Sequence, residues 1–311
     1  MLKVYIQIPA WNEENLLPTT VAEIYRATSE IANDYEIRIL VIDDGSTDST
    51  AVKALELGTE CLKMPKHVGL ARAFSAGLDY CVSKGADFII NTDADNQYPA
   101  DGIALLLNQL VIGNCDIVIG NRITSEVSEF TATKKGLQHL GSSLICKLNN
   151  LEGIDVTSGF RGYSRLAATE IMVQSKFSYT IETLFSSTAT GLVINSIAVG
   201  RNNVNRPSRL FKSNWHYIRK SVPIIVRCIL YFRPLLILLP ISTLTFVLSF
   251  LLSTPYLLSR LNGSESAHIQ SLIATSITFL FGSQLLVLGF LADAIAKNRA
   301  ATHKLLRYVR S

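Results

Sequence analysis

Two uncharged apolar runs in the last third of the chain limit its folds more than any other feature. Pro234–Leu258 and Ile269–Ala292 contain no Asp, Glu, Lys or Arg. A helix crosses the hydrocarbon core of a bilayer with about 20 apolar residues, so each run is long enough to span. The connecting segment, 259–268, carries only Arg260 and Glu265 as charges. Basic residues flank the outer ends instead: Arg219, Lys220, Arg227 and Arg233 before the first run, and Lys297, Arg299, Lys304, Arg307 and Arg310 after the second. Positive flanks stay on the cytoplasmic side. The expected arrangement is a helical hairpin with both chain termini in the cytoplasm. It divides the protein into a head over 1–208, amphipathic juxtamembrane helices over 209–233, spans at 234–258 and 269–292, and a basic tail over 293–311.

Charge supports that division. Residues 1–200 hold 15 Lys and Arg against 23 Asp and Glu, whereas residues 201–311 hold 14 against 2. An acidic head followed by a basic segment suits a protein that meets an anionic lipid surface. Within 209–233, Arg209, Lys212, His216, Arg219, Lys220 and Arg227 interleave with Phe211, Trp215, Tyr217, Ile218, Val222, Ile225 and Val226. That pattern suits helices lying among lipid headgroups. The five cysteines are scattered, with no Cys-x-x-Cys pair, so zinc is not expected and reduced thiols are. Residues 4–8 read as a strand rather than as part of a signal peptide.

The head alternates short apolar runs with helical patterns. Strands are expected at 4–8, 37–42, 88–91, 117–119 and 193–199, and helices near 14–30, 48–57, 69–83, 100–110 and 135–149. Such alternation predicts an α/β fold with a mainly parallel sheet, whose ligands gather at the C-terminal ends of the strands. Polar clusters stand at those ends: Asn12-Glu13, Asp43-Asp44-Gly45-Ser46, Asp93-Ala94-Asp95 and Asn121-Arg122.

Asp93 and Asp95, two residues apart after an apolar strand and followed by Gln97, offer oxygen ligands to a hard divalent cation, Mg²⁺ or Mn²⁺, of the kind completed by substrate phosphates. In Asp43-Asp44-Gly45-Ser46-Thr47-Asp48, turn and capping chemistry accounts for Ser46 and Asp48 but not for the paired acids. Glu182 stays open between a helix-surface charge and a functional carboxylate. His67 and His139 read as polar surface or core residues.

Together these segments resemble the family 2 glycosyltransferases, over roughly residues 3–200. The resemblance rests on Pro9-Ala10-Trp11-Asn12-Glu13, the Asp43–Asp48 segment, Asp93-Ala94-Asp95, and the glycine-containing helix start at His67–Gly77. Asp93-Ala94-Asp95-Asn96-Gln97, Asp155-Val156-Thr157-Ser158-Gly159-Phe160-Arg161 and the terminal pair of spans are similar to the polyprenyl-phosphate branch of that family. The Gln-x-x-Arg-Trp motif of the processive polysaccharide synthases is absent.

The resemblance implies a Rossmann-like glycosyltransferase A-type catalytic domain, a nucleotide-sugar donor linked to UDP or GDP, a lipid-phosphate acceptor, membrane lipids as surroundings, and no nucleic acid. It leaves the oligomeric state open, a homo-oligomer included. Pro9, Asn12 and Glu13 should line the nucleotide pocket, with Asp43 or Asp44 near the base or ribose. Asp93 should lie near ribose and metal, and Asp95 and Gln97 should ligate the metal. Arg122, and Arg209 with Ser213, should face phosphate oxygens, for which a planar guanidinium fork is suited. An ionised lipid phosphate barely needs a general base; a hydroxyl acceptor would need one, with Asp155 as the candidate. Two alternatives stand beside this expectation: transfer to a lipid hydroxyl, and a non-catalytic subunit that binds nucleotide-sugar.

Overall fold

The computed structural model describes residues 1–122, 142–173, 179–200, 202, 214–262 and 268–310. They fall into two compact units, Met1–Lys220 with His303–Ser311, and Ser221–Thr302.

The first unit is built on a seven-stranded sheet: β1 (Leu2–Ala10), β2 (Tyr35–Asp43), β3 (Glu60–Lys63), β4 (Phe88–Asn91), β5 (Ile117–Arg122), β6 (Arg161–Ser164) and β7 (Ile194–Val199). Its order is β3-β2-β1-β4-β6-β5-β7. Every pairing is parallel except those of β6, which runs antiparallel to both β4 and β5. The helices between strands are α1 (Leu17–Thr28), α2 (Thr50–Glu56), α3 (Leu70–Ser83), α4 (Gly102–Val111), α5 (Arg165–Glu170) and α6 (Tyr179–Thr190).

Alternation along β1 explains the layering. Val4, Ile6 and Ile8 enter a core with Leu17, Val21 and Ile24 of α1 and with Ile103, Leu106, Leu107 and Leu110 of α4. Tyr5 and Gln7 take the opposite face, where α3 packs on β1 and β2. Central strands covered on both faces read as near-continuous apolar runs, which is why they are legible in the sequence. Each fully buried Ile or Leu contributes about 1.5–3 kcal/mol.

All five expected strands are present, most of them longer than the apolar run alone: β5 continues through Asn121 and Arg122. β3 and β6 were not anticipated. Both are four residues long, and Glu-Cys-Leu-Lys and Arg-Gly-Tyr-Ser carry no apolar alternation. The sheet lends them their strand character through its hydrogen-bonding edges. α5, started by Ser164 Oγ accepting from Ala167 N–H at 3.1 Å, was not anticipated either, while α6 is the helix that one reading of Glu182 supposed. Of the helix expected at 135–149, residues 142–148 are helical and 135–141 lie outside the described residues.

Three helices follow: α7 (Asn214–Phe232), α8 (Leu235–Leu261) and α9 (Ile269–Arg310). The apolar stretches of α8 and α9 are long enough to cross a membrane, and only 11% of the most apolar window of each is buried. A core helix of a soluble protein would be mostly buried. α8 and α9 run antiparallel, tied by Ser242 Oγ donating to Gly282 O at 2.9 Å and Ser249 Oγ donating to Thr275 O at 2.9 Å. Ser271 Oγ donates to Leu252 O. The helix does not end with the apolar run at 292 but continues through the basic tail to Arg310.

Candidate active site

In the order β2-β1-β4, successive strands lie on opposite sides of β1, so the sheet has its switch point between β1 and β4. The loops after β1, β2 and β4 open on that edge. The antiparallel β6 adds a fourth segment. Its first residue, Arg161, pairs with Asn91 and Ile119 near the ends of β4 and β5, so residues 155–160 arrive at the same edge.

The loops after β1 and β2 are laced together. Asn12 sits at φ 54°, a left-handed conformation that asparagine tolerates. Its N–H donates to Ser46 Oγ at 2.9 Å, and its Oδ1 accepts from Thr47 N–H at 2.9 Å. Glu13 N–H donates to Thr50 Oγ1 at 2.9 Å. Pro9 lies in β1, paired with Ile42.

Asp43 and Asp44 differ. Asp44 accepts from Val68 N–H at 2.8 Å and Gly69 N–H at 2.9 Å, and its Oδ2 lies 2.9 Å from His67 Nδ1. It therefore pins the loop that starts α3. Gly45, at φ +66°, lets that loop lie flat on the next: a Cβ there would come within 2.4 Å of the Lys66 carbonyl carbon. Asp43 is fully buried, with Oδ1 accepting from Ser46 N–H at 3.0 Å and Oδ2 without a protein partner. Of the two, Asp43 is the one with an oxygen to spare. His67, half-exposed, stacks on the Trp11 ring with centroids 4.3 Å apart.

After β4, Asp93 lies half-buried beside Asp95. Burial first, and then the charge of Asp95, push the Asp93 carboxyl well above the usual carboxylate range, against the pull of Arg122 and Arg161. Gln97 N–H donates to Asp95 Oδ1 at 3.3 Å. Asn202 secures the loop by donating from its backbone N–H to Gln97 O at 3.0 Å and from its side chain to Asn96 O at 3.1 Å.

Behind Asp93 stands a buried polar chain absent from the expectations. Gln7 Nε2 donates to Asn91 Oδ1 at 2.9 Å, and Asn91 Nδ2 donates to Gly159 O at 2.8 Å and Tyr179 Oη at 3.0 Å. Gly159 N–H donates to Tyr98 Oη at 3.0 Å. Gly159 has to lack a side chain: a Cβ would lie 2.6 Å from Tyr179 Oη and 2.9 Å from Asp93 Oδ2. Arg161, fully buried, donates to the carbonyls of Ser158, Thr180 and Val156 at 2.8, 2.9 and 2.9 Å and to Thr183 Oγ1 at 2.6 Å. It fastens the 156–161 segment to α6. Glu182 is buried in the same helix, so the surface-charge reading does not hold. A Gln inside an otherwise apolar strand was the one available signal for this chain.

Arg122 and Asp155 pair with each other. Arg122 Nε donates to Asp155 Oδ2 at 2.7 Å and Nη2 to Oδ1 at 3.1 Å; Nη2 also donates to Thr157 Oγ1. Burial alone would raise the Asp155 carboxyl, but the Arg122 fork and Thr157 outweigh it and hold it below its ordinary value. Arg209 and Ser213 lie outside the described residues.

Among the described residues, no group of three or more His, Cys, Asp or Glu side chains gathers as a metal cage. The donor set of Asp93, Asp95 and Gln97 nonetheless fits a hard cation that shares its shell with a substrate. Two carboxylates that repel each other at one strand end gain when a divalent charge lies between them.

Residues 5–172 match the family described as Glycosyl transferase family 2. The UDP-N-acetylglucosamine–dolichyl-phosphate N-acetylglucosaminyltransferase of Methanococcus voltae is 30% identical over 186 residues, 53% of this chain and 70% of that protein. The polyprenol monophosphomannose synthase of Mycolicibacterium smegmatis is 27% identical over 171 residues, 52% of this chain and 62% of that protein. Among solved structures, the glucosyl-3-phosphoglycerate synthase of Mycobacterium tuberculosis, crystallised with Mn²⁺, UDP and phosphoglyceric acid, superposes with a TM-score of 0.53 at 20% identity, over 73% of this chain and 78% of that one. At that identity the likeness shows the fold, that of a glycosyltransferase A-type domain. Motifs, sheet order and relatives agree: the chain belongs to glycosyl transferase family 2.

Proposed function

We propose that the protein transfers a sugar from a UDP- or GDP-linked donor to a polyprenyl phosphate at the cytoplasmic face of a membrane, with inversion at the sugar carbon. The observation that carries this is the Asp93–Asp95 pair at the switch-point edge, close in sequence to Gln97, with the Asp93 carboxyl raised by burial and by the charge of Asp95. Relatives that act on dolichyl phosphate or polyprenol support the acceptor class. The two membrane-length helices support a lipid acceptor and an integral membrane protein with its head and both termini cytoplasmic.

Asp93, Asp95 and Gln97 would hold Mg²⁺ or Mn²⁺. When bound, such an ion neutralises charge on the donor diphosphate as it departs. Asp43 would receive the nucleoside through its spare oxygen, beside a wall built by Pro9, Asn12, Glu13 and Asp44. Arg209 and Ser213 would contact phosphate. In the reaction, an oxygen of the acceptor phosphate bonds to the sugar carbon as its bond to the donor diphosphate breaks, and the nucleoside diphosphate leaves.

Asp155 bears on the acceptor. A carboxylate held in a bidentate pair below its ordinary pKa is a poor proton acceptor, so transfer to a hydroxyl is disfavoured and attack by an already ionised phosphate is favoured. Asp155 then orients Arg122 toward developing phosphate charge. The test is incubation of membranes carrying the protein with a panel of nucleotide-sugars and lipid phosphates, with products identified by mass spectrometry. A mild-acid-labile sugar phosphate supports the proposal. An acid-stable glycolipid would replace it with hydroxyl transfer, and metal-dependent nucleotide binding without product would leave only a binding subunit.

A further inference from the structure

Gln284 is out of keeping with its surroundings. It lies on α9 inside the uncharged run 269–292, is exposed, and has no hydrogen-bond partner among the described residues. The serine and threonine side chains of the two uncharged runs are provided for, and the other carboxamide there, Gln270, stands in the first turn of α9. Thr243, Ser276, Thr278 and Ser283 donate to carbonyls four residues back on their own helix, and Ser242 and Ser249 donate across the hairpin. Gln284 stands two residues from Gly282, which packs against Thr245 and Phe246 of α8, and so lies nearly opposite that seam round the helix. The first charge after it is Asp293, about 13 Å along the axis at 1.5 Å per residue. That depth is inside the hydrocarbon layer, where an unpaired carboxamide is costly.

The residues around it form a pattern. Ile277, Leu280, Gln284, Val287 and Leu291 follow one another at steps of three and four, and the four apolar members are all exposed. That is the spacing of a coiled-coil seam, with one polar residue at a position where such a residue sets register and partner number.

We propose that this face of α9 docks a second copy of the chain, the two α9 helices crossing in parallel with Gln284 against Gln284. Copies inserted in the same direction place the same residue at the same depth. A carboxamide carries both donors and an acceptor, so it is its own complement. An unrelated spanning helix would have to bring a polar group to that depth independently, whereas a second copy does so by necessity. The proposal rests on α9 spanning the bilayer, which extraction of the vesicles with alkaline carbonate tests separately; release of the protein would remove both.

The experiment uses the purified full-length protein in phosphatidylcholine vesicles. Ile277→Cys, one heptad from Gln284, is oxidised and compared with wild type and with Leu244→Cys on the exposed face of α8. The expected result is a disulfide-linked product at twice the 34.2 kDa chain mass for Ile277→Cys, well above both controls. Adding Gln284→Leu should weaken association roughly threefold to thirtyfold, the range for one or two interhelical hydrogen bonds in a bilayer, while Gln284→Asn should largely retain it. Equal cross-linking at 244 and 277, no cross-linking at 277, or a yield unmoved by Gln284→Leu would each overturn the proposal.

Discussion

The loops after β2 and β4 look alike in sequence: each closes a buried strand with closely spaced acids, Asp43-Asp44 in one and Asp93-Ala94-Asp95 in the other. Their surroundings differ. Asp44 is saturated by two backbone N–H donors and the His67 ring, and its charge goes into holding the start of α3. At Asp93, burial first and then the charge of Asp95 raise the carboxyl. A carboxylate satisfied by its own chain builds the site. A pair of repelling carboxylates gains from a cation between them, the role proposed for Asp93 and Asp95. Only the environment separates the two roles, since the residue types are the same.

The largest expected effect falls on the second pair. Asp95→Asn, or chelation of divalent metal, should lower transfer by about a hundredfold or more, the scale set by removing a charge stabiliser from a reacting centre. The same substitution should leave the melting temperature unchanged or raise it, because one of two repelling charges is gone. Full transfer activity after chelator treatment would sink the metal assignment, and a large fall in melting temperature would erase the contrast with Asp44.

Asp44 should respond in the opposite way. Asp44→Ala leaves the N–H groups of Val68 and Gly69 without their acceptor, at a cost of about 2 kcal/mol. The melting temperature should fall, and activity at low temperature should drop less than for Asp95→Asn. If Asp44→Ala abolishes nucleotide binding in a still-folded protein, Asp44 touches the donor directly and the division of labour between Asp43 and Asp44 is wrong.

The smallest effect concerns Asp155, a third acid at the same edge, held by Arg122. Its folded pKa lies below the ordinary aspartate value of about 3.9. A depressed pKa contributes stability that is fully present above the unfolded value and is lost as pH falls through the folded one. The stability margin of wild type over Asp155→Asn should therefore be constant from pH 7 down to about 4 and shrink below that. Thermal unfolding in detergent across this range measures it. A margin that grows on acidification would mean that Asp155 is not held as the anion, and it would return as a candidate base.

Much of this was written in the sequence. Runs such as Val4–Ile8 and Phe88–Asn91 announce buried parallel strands because both faces are covered, and two uncharged runs of spanning length announce the hairpin because hydrocarbon tolerates little else. The four polar clusters at strand ends marked one edge of the sheet, where the proposed site lies. What the sequence could not carry was everything set by partners distant along the chain. β3 and β6 are strands because neighbouring strands offer them hydrogen bonds, and the antiparallel run of β6 between β4 and β5 brings residues 155–160 to the edge of the proposed site. Gln7, Asn91, Tyr98 and Tyr179 are unremarked polar residues until folding brings residues 61 to 88 positions apart within hydrogen-bonding distance. Whether an aspartate is a brace or a ligand depends on which N–H groups reach it, and that is decided by three-dimensional proximity, which residue type and local spacing do not encode.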